Sequence, residues 1–223
     1  MSELWARWLP YFESCGEPKE AIALDGYDPS GSYLREPIKI LFVLREPNQS
    51  GGCDLRDQLA SGARYGIWRT VARWAAGILS SKGFPPYDQA DVQTLQDHTL
   101  KRIAVINLKK KSGLSTSDPY EINAWAHRDR QMLREQVRCL APHLVVGCGT
   151  YPQLTWLLKV EGSHPITADT WGSSSIEYKC HVLDWYHPAR HGGAAHYLKM
   201  NSAMAALTTE FPEWRGVGSN AGT

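Results

Sequence analysis

Paired cysteines are missing from this chain. Its five cysteines (Cys15, Cys53, Cys139, Cys148 and Cys180) are scattered, and none forms a CxxC pair. Thiols spaced this way argue against a disulfide scaffold or a cysteine-based metal site and suit a reducing, cytoplasmic compartment. Long apolar runs are missing too. No window approaches the ~20 apolar residues of a membrane-spanning helix, so no membrane association is expected. The opening MSELWARWLPYFESCGEP has no basic segment followed by an apolar one and does not read as a secretory leader. Charge of one sign is not in excess either. Lys and Arg number 24 and Asp and Glu 23, for a formal net charge of +1. There is no general pull toward nucleic acid or lipid, and any polyanion-binding surface has to be local.

What is present suits one domain with a full core. The chain has 223 residues, 43% of them hydrophobic. Residues 1–212 read as a single domain and 213–223 as a disordered tail. Leu4, Trp5, Trp8, Leu9 and Phe12 stand at helical spacing, with Pro10 as a kink or an end. Three short apolar runs read as buried strands, 38–44, 102–108 and 143–149, and residues 178–185 alternate like a strand. Helical patterns follow over 65–79, over 119–140 as one long polar helix, up to Leu158, and over 194–209. The intervals 25–37, 53–64, 83–92 and 161–176 read as loops or irregular chain. Strands alternating with helices imply βαβ units. The expected fold is α/β, a three-layer α/β/α sandwich around a central, mostly parallel sheet.

Three strand ends carry the polar residues of interest: Arg45-Glu46-Pro47-Asn48, Asn107, and His187-Pro188. In a parallel sheet all three open on one edge, where ligands of α/β folds bind. Taken singly, each has an ordinary explanation. An acid after a strand caps a helix, an Asn there makes a turn, and a His-Pro pair is a loop. Their joint occurrence in order, each at a strand end, is what points to a site.

On these motifs the sequence resembles the uracil-DNA glycosylase superfamily, from about residue 38 to residue 208. That superfamily's first motif is a strand ending in an acid or amide before Pro, as in GQDPY or GxNPG. LREPN matches it here, and INLKK and YHPAR match the later strand ends. The resemblance implies catalytic positions at Glu46, which activates water, at His187, and at Asn48 on the pocket floor. It implies base contacts from Asn107, Pro47 and Tyr65, the last stacking beneath the flipped base. Lys109, Lys110, Lys111, Arg190, His191 and Arg45 would meet DNA phosphates. The chemistry suits these residue types. A carboxylate orients water and stabilises a sugar cation, and an imidazole supports the charge growing on the departing base. An amide with one acceptor and two donors reads a pyrimidine edge.

The implied activity is monofunctional: base excision leaving an abasic site, with DNA as partner, a monomeric enzyme and no cofactor. Departures from the pattern bear on the substrate. Glu replaces Asp at the water-activating position, Asn48 follows the Pro, HPAR lacks the Ser of HPS, and the cysteines of an iron–sulfur cluster are absent. Uracil is the default base. A bulkier modified pyrimidine is the alternative, since the superfamily includes bacterial anti-phage enzymes that remove glucosylated hydroxymethylcytosine. Two other readings stay open: a hydrolase of free nucleosides or nucleotides, and a catalytically silent nucleic-acid-binding module.

Overall fold

Every residue of ILFVL is buried along β2 (Ile40–Leu44). A strand is buried throughout only when helices cover both faces of its sheet. The computed structural model describes residues 1–48, 53–62, 66–90, 98–113 and 116–218, and it places β2 at the centre of such a sheet. The seven strands lie in the order β1 (Gly26–Tyr27), β3 (Ala104–Asn107), β2, β4 (Leu144–Cys148), β7 (Cys180–Trp185), β6 (Thr170–Ser175), β5 (Glu161–Thr167). The middle four, β3, β2, β4 and β7, run parallel, with Leu44 beside Asn107, Val43 beside Gly147 and Cys148 beside Trp185. Strands β1, β6 and β5 flank them in antiparallel pairings.

Alternate side chains of β2 enter different cores. Ile40, Phe42 and Leu44 meet Val71, Trp74 and Ile78 of α4 (Gly66–Leu79) and Met200, Met204 and Leu207 of α8 (Ala194–Glu210). Leu41 and Val43 meet the opposite layer. There Ile122 and Ala126 come from α5 (Pro119–Arg128), Leu133 and Val137 from α6 (Arg130–Leu140), and Leu154 from α7 (Tyr151–Leu157). A third cluster joins Trp5, Trp8 and Phe12 of α1 (Ser2–Ser14) to Trp125. The fold is α/β, and among the described residues no helix is long and apolar enough to cross a membrane.

Several boundaries differ from the expected ones. The stretch 161–176, expected as loop, is the β5–β6 hairpin. Its outer strand EGSHPIT is exposed over most of its length and β6 is TWGSSS, so neither carries an apolar signal. The single helix over 119–140 is two, broken at Asp129, whose buried carboxylate accepts bonds from Tyr11 and Arg128. Within 53–64 lies a short helix, α3 (Leu55–Ser61), started by Asp54, whose side chain accepts from the Arg56 N–H. Residues 25–37 hold β1 and a helical turn, α2 (Ser32–Arg35). Pro10 lies inside α1 and does not end it. A 3-10 helix spans Pro212–Gly218, and Trp214 is fully buried, so the packed body continues past the expected limit at 212.

Candidate active site

The parallel strands deliver their carboxyl ends to one edge. There β2 ends in Leu44, β3 in Asn107, β4 in Cys148 and β7 in Trp185. A cavity of about 480 Å³ opens at the ends of β2, β4 and β7, lined among others by Arg45, Gly149, Asp169, Asp184, His187 and Arg190. Arg45 turns toward β4, and its Nε donates to the Gly149 carbonyl over 3.1 Å. Gly149 has φ +68°, and a Cβ on it would sit 2.9 Å from the Arg45 guanidinium. The left-handed backbone calls for glycine here.

His187 stands two residues beyond the end of β7. Its Nδ1 accepts a long bond, 3.4 Å, from the Ala189 N–H. In a neutral ring this puts the proton on Nε2. Burial first, then the nearby charges of Arg45, His191 and Arg190, lower the pKa of His187 to about 4. The ring is therefore a neutral N–H donor at physiological pH. Asp184 moves the other way. Burial first, then the charge of Asp169, raises it to about 6. Asp169 belongs to a surface network in which Tyr186 and Lys199 both donate to its carboxylate.

Glu46 does not line this cavity. Its carboxylate turns toward the loop after β3, where Lys109 Nζ lies 2.8 Å from Oε2. Asn107 is 1% exposed, and neither its Oδ1 nor its Nδ2 has a partner among the described residues. Unpartnered buried amides are uncommon and call for an explanation. Its backbone N–H is held by Asp25, 2.8 Å away.

The expected DNA-backbone contacts need correction. Lys110 is 1% exposed and locked to both Asp25 oxygens (3.0 and 2.8 Å) and to Gln136 (2.8 Å). Burial lowers its pKa and outweighs the pull of Asp25. Lys109 is also buried, between Glu46 and Glu121. Neither amine can reach a phosphate from these positions, because each is spent on an internal carboxylate. Lys111 pairs with Glu17 at 2.7 Å but stays half-exposed. Arg190 and His191 line the cavity, and His191 stacks on Tyr186. Pro47 is buried, and Asn48, expected on the pocket floor, is exposed. Tyr65 lies outside the described residues.

Sequence reasoning missed Asp184 and Asp169. Asp184 is the one polar side chain in the VLDW end of β7, a weak signal. Asp169 sits in the turn of a hairpin that had no strand signature. Among the described residues, no group of three or more His, Cys, Asp or Glu is placed to hold a metal ion. The edge thus offers a neutral imidazole donor, a buried unpartnered amide, carboxylates in two settings and two cations. No family model matches this chain, and no curated protein matches its sequence significantly.

Proposed function

We propose that this protein is a monofunctional DNA glycosylase, which hydrolyses the N-glycosidic bond of a flipped pyrimidine and leaves an abasic site. The observation that carries the reading is Asn107, a buried amide with neither donor nor acceptor satisfied among the described residues, at the same sheet edge as Glu46 and His187. A pyrimidine edge offers the complementary donor and acceptor. The neutral His187 suits the other half of the chemistry, since Nε2–H donates to a base oxygen as negative charge grows there. Uracil is the default base and a bulkier modified pyrimidine, including one from phage DNA, the alternative. The parallel four-strand core with helices on both faces is the frame that the glycosylase resemblance implies.

The test is base release from DNAs carrying uracil, hydroxymethyluracil, hydroxymethylcytosine or glucosylated hydroxymethylcytosine, read as alkali-labile sites. At least one is expected to be cleaved, with Glu46→Gln and His187→Ala each slowing release by ~100-fold or more. Unchanged release by Glu46→Gln would remove Glu46 from the chemistry. A second reading, hydrolysis of free nucleosides or nucleotides, is favoured by the burial of Lys109 and Lys110, which removes two cations from the DNA-binding face. Cleavage of free nucleosides without cleavage of any DNA would select it.

A further inference from the structure

In sequence, Lys109 is one of three consecutive cations. In the fold it is enclosed between two carboxylates. Its Nζ lies 2.8 Å from Glu46 Oε2 and 2.9 Å from Glu121 Oε1. The side chains of Lys109 and Glu46 are each 3% exposed, while that of Glu121 is 48% exposed. The backbone repeats the contact. The Lys109 N–H donates to the Arg45 carbonyl and the Gly113 N–H to the Pro47 carbonyl, each over 2.9 Å. The loop after β3 is thereby laid along residues 45–47. Gly113 comes so near that a Cβ on it would stand 1.9 Å from Glu46 Oε2, so a side chain there would push the carboxylate from its place. Lys109 engages Glu46 through Oε2 and not through Oε1.

We propose that Lys109 is the positioning residue of Glu46: it pairs the carboxylate's charge and fixes Oε2, leaving Oε1 for the attacking water. This rests on the glycosylase reading. In the step concerned, the water oxygen bonds to C1′ as the C1′–N bond breaks, and the bonding pair leaves with the base. One water proton passes to Glu46 and then to solvent. Such a base has to be charged and aimed beforehand. A buried ammonium at hydrogen-bond distance pairs such a carboxylate's charge and holds it in one orientation. Lys109 can supply the charge. Burial disfavours its own protonated form, but the bonds to Glu121 and Glu46 outweigh burial and raise its pKa above the ordinary lysine value.

Single-turnover base release by Lys109→Met, Glu121→Gln, Glu46→Gln and the Glu46→Gln/Lys109→Met double variant tests the role. Lys109→Met is expected to slow bond cleavage about 10- to 100-fold at unchanged half-saturating DNA, as loss of an orienting partner does. Glu121→Gln is expected to slow release less than Lys109→Met does, because Glu46 still holds the ammonium. In the Glu46→Gln background Lys109→Met is expected to cost nothing further, because the lysine acts through that carboxylate. The double variant also removes both buried charges together, so it folds even where the single variant is strained. Equal slowing in both backgrounds overturns the proposal. So does a salt dependence of DNA binding that weakens by about one unit in Lys109→Met, the mark of a phosphate contact. Wild-type release that Lys109→Met leaves intact overturns the positioning role alone. No release by wild type from any DNA overturns the glycosylase reading and this role with it.

Discussion

Within one cavity, burial pushes an acid and a base in opposite directions. His187 falls to about 4 and Asp184 rises to about 6, with burial the largest cause of each. In an unfolded chain the corresponding values are ~6.5 and ~3.9. The linkage to stability then runs in opposite senses. Unfolding lets His187 bind a proton, so its contribution is lost as pH falls from about 6.5 to about 4. Unfolding makes Asp184 release one, so its effect is to lower stability as pH rises from about 4 to about 6. The two slopes offset each other over most of that range. Asp184→Asn removes one of them. Relative to wild type, the variant should gain stability between about pH 4 and 6 and keep the gain above that range. Urea midpoints at half-unit pH steps measure this. Parallel profiles for the two proteins would mean that Asp184 has a charge partner in solution.

Strand β3 shows how a whole element is pinned by groups remote in sequence. Asp25 accepts from the backbone N–H of Asn107 and from Lys110 and Gln136, all of them buried. One carboxylate thus sets the end of the strand that carries the unpartnered amide. Removing one partner of a buried ion pair leaves a charge without compensation, whereas removing both leaves none. Lys110→Met should therefore cost about 3–5 kcal/mol of unfolding free energy, and Asp25→Asn/Lys110→Met should recover much of it. Denaturant titration of the single and double variants decides the matter, and a double variant as unstable as Lys110→Met would count against the pairing. The same element marks how far sequence reading reaches. The apolar runs in β2, β3 and β4 were legible because strands covered on both faces carry few polar residues, and β7 was legible by its alternation. The β5–β6 hairpin was not, because an edge strand in solvent has no such run. The burial of Lys110 depends on Asp25, 85 residues away, and nothing in LKKKS distinguishes a buried lysine from an exposed one.

At the scale of the molecule, the last described segment closes the core beneath α4 and α8. Trp214 is fully buried in the cluster that includes Phe42, Trp74 and Met204. Its Nε1 donates to the Thr208 hydroxyl over 3.1 Å, and the neighbouring Arg215 donates to the Ile78 carbonyl over 3.3 Å. Helix α4 also holds the loop after His187. Arg73 and Tyr87 both donate to the Gly192 carbonyl, and a Cβ on Gly192 would lie 2.4 Å from the Thr70 hydroxyl. The tail's packing and the position of His187 therefore depend on one helix. Trp214→Ala opens a cavity in that shared core, and its expected cost is about 3–5 kcal/mol. Trp214→Phe keeps most of the apolar contact and loses the hydrogen bond, for roughly 1 kcal/mol. Because the residue belongs to the same cluster as β2 and β4, the loss should appear as one displaced cooperative transition, by far-ultraviolet dichroism and tryptophan fluorescence alike. An early, separate transition in Trp214→Ala would instead make residues 212–218 a detachable unit, and His187 would then keep its position when that unit leaves.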